Sequence, residues 1–204
     1  MSASVLLASA SPRRAALLAQ LGIHCEVAPQ DIDETRKQGE TVTDFVQRLA
    51  VEKAQSAWQA NEHRAVIGAD TVVCIDDDCL GKPRDRDQGL AMLQQLSGRT
   101  HEVVTAVALV LAGQRQCVLS RSQVRFRDIR PDEAAAYWAS GEPQDKAGGY
   151  AIQGLAAIFV ESMQGSYSGV MGLPLFETAQ LLEQAGVPVL SIGAESHEGF
   201  RELS

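Results

Sequence analysis

The chain has little of what secreted, membrane or zinc-binding proteins are built from. Its 204 residues include four cysteines (Cys25, Cys74, Cys79, Cys117), with no C-x-x-C and no Cys/His cluster at zinc spacing. Those absences exclude a zinc module and a disulfide framework. Cys74 and Cys79 could face each other across a short hairpin, but the expectation is of reduced, mostly buried thiols in a cytoplasmic protein. No run approaches the roughly 20 apolar residues of a membrane span. No basic region precedes a long apolar stretch at the N-terminus, so no signal peptide is expected. Positive charge is scarce too: 18 Lys and Arg against 26 Asp and Glu leave a net charge of −8. Such a chain is a poor general binder of duplex nucleic acid, whose affinity comes from phosphate neutralisation. A small anionic substrate fits only if the basic groups gather in one place. There is no G-x-x-x-x-G-K-[ST] and no kinase signature, which sets aside P-loop NTPases and protein kinases.

What is there suffices for one sizeable core. The chain is 45% hydrophobic and free of repeats and low-complexity linkers, so residues 1–204 read as one domain, in two lobes. Residues 194–204 read as a loosely held tail. Short strands are expected at Val5–Ala8 and Cys25–Ala28, and helices at Arg13–Leu21 and Thr43–Ala60. Between them, Pro29–Glu40 is a polar, acidic loop. A β-rich run covers Ala65–Ile75, with Asp76-Asp77-Asp78 as a turn tip, and Asp87–Leu96 is a helix. Glu102–Leu111 and Gln116–Phe126 form a long hairpin around Ala112–Arg115. A helix follows at Pro131–Ser140, then a Gly-rich stretch at Glu142–Gly154, a strand at Leu155–Met163 and a helix at Pro174–Ala185. The alternation predicts an α/β fold with a mixed sheet flanked by helices.

The densest chemical signal is Ser9-Ala10-Ser11-Pro12-Arg13-Arg14, where a buried strand gives way to a helix. Pro12 suits the first helical turn, and Ser11 before it suits the N-cap. The free N–H groups and partial positive charge of a helix start attract anions, and two guanidiniums add a grip on phosphate. The segment reads as a phosphate cradle or, more plainly, as a capped surface helix. Lys53 follows Val46 and Leu49 on the apolar stripe of its helix and is expected to point inward, its ammonium on phosphate. Asp70 interrupts the apolar strand Val66–Val73, after the small residues Gly68 and Ala69, and reads as a metal ligand or general base. Gly81-Lys82-Pro83 offers a second lysine on a rigid turn. Asp33 and Glu34 are carboxylates in the acidic loop. With Asp70, either could hold Mg²⁺ or Mn²⁺. Together these groups suggest a site for a polyphosphate with a metal.

Seven blocks in order carry a resemblance. They are Leu7-Ala8-Ser9-Ala10-Ser11-Pro12-Arg13-Arg14, Arg48-Leu49-Ala50 with Lys53-Ala54, Gly68-Ala69-Asp70-Thr71-Val72-Val73, Gly81-Lys82-Pro83, Leu96-Ser97-Gly98-Arg99-Thr100-His101, Asp145–Gly154 and Gly172-Leu173-Pro174-Leu175. In these the chain resembles the Maf family of nucleotide pyrophosphatases along nearly its whole length short of the tail. The resemblance implies an elongated mixed α/β fold like that of the inosine-triphosphatase proteins, with a cleft between two lobes. It also implies hydrolysis of a nucleoside triphosphate to the monophosphate and pyrophosphate, with a divalent metal, by attack of water on the α-phosphorus. Asp70 matches the family's proton acceptor. Glu34, rather than Asp33, matches its more regular acidic position. Family members often form dimers, which allows a homodimer here, and some are linked to septum formation.

Arg13, Thr71 and Gln153 match the residues of the family branch that acts on dTTP and UTP. The 7-methyl-GTP branch typically has a tryptophan, a glutamine and a glutamate there. Gln153 can accept from N3–H of uracil or thymine and donate to O4, whereas a glutamate could only accept. Catalysis is therefore expected from Asp70, Lys53 and Lys82, and substrate binding from Ser9, Ser11, Arg13, Arg14, Thr71 and Gln153. Glu34 and Asp70 are the expected metal ligands. The alternatives are the 7-methyl-GTP branch and a non-enzymatic nucleotide-binding regulator of cell division. Ser166–Met171 departs from the family pattern with a glycine and a methionine. His101 and Glu102 are expected to hydrogen-bond at a strand end.

Overall fold

The computed structural model describes residues 5–76 and 78–189. Its frame is a mixed sheet of β1 (Val5–Leu7), β2 (Cys25–Val27), β3 (Val66–Ile75), β4 (Asp78–Leu80), β5 (Thr100–Leu111), β6 (Gln114–Phe126) and β7 (Val160–Gln164). The spatial order is β2-β1-β3-β5-β6-β7, with β4 paired to the end of β3. β1 runs parallel to β2 and β3, and the other pairs are antiparallel. The helices are α1 (Pro12–Gln20), α2 (Val42–Gln59), α3 (Arg86–Leu96), α4 (Pro131–Ala139), the short α5 (Tyr167–Met171) and α6 (Leu175–Gln184). A mixed sheet flanked by helices is what the sequence predicts.

β3 and β5 read as nearly continuous apolar runs because helices cover both faces of the sheet. Alternation then sorts their residues. Val66 and Val72 of β3, with Val104, Ala106 and Ala108 of β5, pack under Val46, Ala50 and Ala54 of α2. The opposite face carries two apolar clusters. One joins Ile67, Ala69, Val107 and Leu109 to α1 and α6. The other joins Val73, Ile75, Val103 and Phe126 to α3 and α4. Between the clusters Thr71 and Thr105 stand opposite each other in the β3–β5 register, so a polar seam divides this face. β3 pairs with β1 only at Val66 and Ile67, and with β4 only from Val73 on. Gly68–Val72 is thus left without a ladder partner on that side.

Several expectations need correction. Leu155–Met163 is not one strand: a 3₁₀ turn spans Leu155–Phe159, and β7 begins at Val160. The Glu142 carboxylate accepts from the N–H groups of Leu155 (2.9 Å) and Ala156 (3.4 Å), which caps the turn. Ser11 occupies the N-cap of α1, but its side chain bonds no helix N–H. Its own N–H donates to Ser9 Oγ at 3.2 Å. The hairpin turn is two residues long: Ala112 (φ 49°) and Gly113 (φ 77°) are both left-handed, as such turns require. α5, which sequence periodicity did not indicate, lies within the segment that departs from the family pattern. Residues 194–204, the expected tail, lie outside the described residues.

Candidate active site

The site lies where β3 has its free edge. At Gly68, a Cβ would stand 2.3 Å from the Ala50 carbonyl oxygen and 2.7 Å from the Ala54 nitrogen. Only glycine lets α2 come this close. That approach lays Lys53 against β3, and its Nζ meets Asp70 Oδ1 at 2.8 Å and Glu34 Oε1 at 2.7 Å. Lys53 and Asp70 are both buried at 8% exposure, so neither charge is left to solvent alone. Burial raises the Asp70 pKa, while the Lys53 ammonium and then Arg14 oppose the rise and Glu34 adds to it. Burial also acts to raise Glu34, but the Lys53 hydrogen bond and charge, with Lys82 and Arg14, hold it below the usual range.

Arg48 of α2 fixes the loop that carries Glu34. Its guanidinium bonds Glu40 Oε1 at 2.6 Å and Oε2 at 2.9 Å, the Thr35 carbonyl at 3.0 Å and Glu52 Oε2 at 3.1 Å. The Arg48 fork holds the Glu40 pKa down to about 2. Asp33 is spent locally, accepting from Thr35 N–H at 2.9 Å. Glu34, not Asp33, therefore reaches Lys53.

The two adjacent arginines part company. Arg14 turns inward and donates to Ser9 Oγ (3.0 Å), Thr71 Oγ1 (3.2 Å) and the Gly172 carbonyl (2.8 Å). Burial lowers its pKa, the Asp70 charge opposing this. Thr105 Oγ1 donates to the Gly169 carbonyl at 2.8 Å, so in the 2.9 Å contact between the threonines Thr71 is the donor. A directed chain results: Arg14 to Thr71 to Thr105 to Gly169 of α5. Thr71 is thus a half-buried relay on the face away from Asp70. Arg13 instead lines a small cleft with Lys146, Tyr150, Ala151, Ile152, Gln153 and Met171, 3.8 Å from Asp145. Lys82 is exposed, and its turn is tied down by Gly148 N–H donating to the Gly81 carbonyl at 3.0 Å.

The structure thus joins Asp70, Lys53 and Glu34 directly, groups Ser9, Arg14 and Thr71 beside them, and sets Arg13 and Gln153 together on the cleft. Ser11 is half-buried at the start of α1. His101 keeps the expected strand-end role: Nε2 lies 2.8 Å from Tyr150 Oη, and burial pushes its pKa down to about 4. Cys74 and Cys79 do face each other, as free thiols with Sγ atoms 3.3 Å apart. Sequence reasoning gave no role to Arg48, Thr105, Glu142 or Lys146. Thr105 had left a signal, as a lone hydroxyl inside the apolar run Val103–Leu111.

A family model described as Maf-like protein matches residues 4–185. The chain belongs to the Maf family. Among its relatives, a protein of Alkalilimnicola ehrlichii named dTTP/UTP pyrophosphatase is 53% identical over 187 residues, covering 88% of this chain and 92% of that protein. One of the same name from Aromatoleum aromaticum is 48% identical over 201 residues, covering 92% and 98%. The solved Ham1 protein of Staphylococcus aureus aligns with 60% of this chain and 71% of its own at 13% identity, with a TM-score of 0.42, too distant a likeness to add to the assignment. Among the described residues, no helix is long and apolar enough to cross a membrane.

Proposed function

We propose that this Maf protein is a nucleoside triphosphate pyrophosphatase that converts dTTP and UTP to the monophosphate and pyrophosphate. The observation that carries the reading is the buried Lys53 ammonium shared by Asp70 and Glu34 at the free edge of β3. It is supported by the 53% identity over most of the chain to a relative named for that reaction. Asp70, its Oδ1 paired with the Lys53 ammonium at 2.8 Å, takes a proton from water. The water oxygen bonds to the α-phosphorus, the bond from that phosphorus to the oxygen bridging to the β-phosphorus breaks, and pyrophosphate leaves. Arg14's fork and the Lys53 ammonium are already occupied by protein oxygens, so Arg13 and Lys82 remain to neutralise the triphosphate. Gln153 on the cleft meets the pyrimidine edge.

Asp70 and Glu34 supply hard oxygen donors that fit Mg²⁺ or Mn²⁺. Among the described residues no group of three or more His, Cys, Asp or Glu is gathered. The rest of such an ion's shell would then be phosphate oxygens and water, as is usual for magnesium. When bound, the ion neutralises phosphate charge as a Lewis acid. A single domain in two lobes, acting in the cytoplasm, belongs to the same proposal.

Pyrophosphate release from a panel of nucleoside triphosphates, with Mg²⁺ or Mn²⁺ and with chelator, tests it. Metal-dependent release favouring dTTP and UTP, and strongly cut by Gln153→Glu, is the expected result. Preference for 7-methyl-GTP would overturn the substrate, and no release from any nucleotide would favour a nucleotide-binding regulator.

A further inference from the structure

Gln153 sits in a tight turn whose two ends are tied to one carboxylate. The turn, Ala151 to Gly154, is closed by Gly154 N–H donating to the Ala151 carbonyl at 3.0 Å. Just after it, the N–H groups of Leu155 and Ala156 donate to Glu142. At its start, Ala151 N–H donates to Tyr137 Oη at 3.1 Å, and that hydroxyl donates to Glu142 Oε1 at 2.7 Å. A Cβ on Gly154 would fall 2.0 Å from Glu142 Oε2, so the carboxylate is seated directly against the turn.

The electrical state of the pair suits this. Burial pushes the Tyr137 hydroxyl up, and the Glu142 hydrogen bond pushes it further, so it stays a donor. Burial would raise Glu142, but the Tyr137 hydroxyl, the two N–H groups and Lys146 together hold it below its usual value. The same residue also holds a second side chain of the cleft, because the Glu142 carbonyl accepts from Lys146 Nζ at 2.7 Å. Lys146 and Gln153 both line the cleft. The Tyr137 ring is locked edge-on to Phe159, with centroids 5.4 Å apart, so its hydroxyl has a fixed aim.

We infer that Tyr137 and Glu142 are positioning residues for nucleobase selection: they hold the turn that carries Gln153 without touching the substrate. The inference rests on the reading of Gln153 as the residue that meets the base. Such a clamp contributes binding that is similar in ground and transition states, so its loss raises KM more than it lowers kcat.

The test is a double-mutant cycle of Tyr137→Phe with Gln153→Ala, with kcat and KM measured on dTTP, UTP and the purine triphosphates. Tyr137→Phe alone is expected to raise KM for dTTP about tenfold, roughly the net worth of one hydrogen bond, and to erode pyrimidine preference. In the Gln153→Ala background the same change should alter selectivity less than about twofold, because a residue acting through Gln153 has nothing left to act on. Independent, multiplying losses in the two backgrounds overturn the proposal, as does a fall in kcat with KM and selectivity unchanged. If Tyr137→Phe fails to fold, Glu142→Gln, which keeps shape and one accepting oxygen, is read in the same way. A wild-type enzyme that prefers another nucleotide overturns the pyrimidine reading alone, and the cycle is then run on that nucleotide. With no turnover at all, hydrogen exchange decides. Faster exchange of the Ala151, Leu155 and Ala156 amides alone in Tyr137→Phe supports the clamp, and unchanged exchange overturns it.

Discussion

Lys53 Nζ stands 2.8 Å from Asp70 Oδ1 on the face of β3 that α2 covers, both residues buried. Each is the other's main compensation for leaving water, and the pair fixes when Asp70 can accept a proton. Burial raises the Asp70 pKa and Lys53 opposes the rise. The base is therefore lost as pH falls through a value above the ordinary carboxylate range. The acid limb of kcat/KM should lie there, and Lys53→Met should move it to higher pH in any residual activity. An acid limb that stays put would disconnect the pair from the chemistry. Asp70→Asn should lower turnover at least about a hundredfold while nucleotide binding persists, by the usual scale of general-base loss.

Arg48 and Glu40 make the loop that presents Glu34 acid-resistant. The Glu40 pKa falls from 4.5 to about 2 in the folded protein. A depressed carboxylate gives stability that is present above its unfolded pKa and is lost as pH falls through the folded one. The melting temperatures of wild type and Glu40→Gln should thus differ most above pH 4.5 and converge toward pH 2. A gap that persists at pH 2 would contradict the assignment.

The Arg14–Thr71–Thr105 chain acts as a unit. Thr71→Val and Thr105→Val should each lower kcat/KM by about tenfold, near the effect of one lost hydrogen bond. The double variant should be little worse than either single one. Additive losses in kinetics would mean that the threonines act separately.

Gly68→Ala forces a Cβ to within 2.3 Å of the Ala50 carbonyl, so α2 must move off the sheet. Overpacking of this kind costs about 1–3 kcal/mol or more. Calorimetry should show a lowered melting temperature, and assays should show activity lost at temperatures where the variant is still folded, because Lys53 rides on α2.

The buried centre of the site was legible in the sequence because charges were written into apolar patterns. Lys53 broke the stripe of α2 and Asp70 broke the run of β3, and such breaks need partners. Each was found with the other, though the sequence had set phosphate opposite Lys53. The roles of neighbours were harder to read. Arg13 and Arg14 are adjacent, and nothing in composition says that one grips Ser9, Thr71 and a carbonyl while the other lines the cleft. Helical rotation separates them, and the difference depends on α5, which is five residues long and too short for periodicity to register. The turn at Leu155–Phe159 was misread as strand for a related reason. Its cap comes from Glu142, a residue 13 positions earlier, whereas capping rules look only at adjacent residues.

Asp70 and Thr71 are neighbours in the chain but lie on opposite faces of β3, one toward α2 and the other toward the polar seam. Gaining or losing a single residue between Val66 and Asp70 would turn the strand over, sending the carboxylate into the seam and the hydroxyl under α2. A change of two residues would keep each group on its own side, though moved along the strand. Length changes beyond Ile75 leave both groups where they are. The segment thus has a parity that loops lack, and drift in its length can reach a working protein only in even steps.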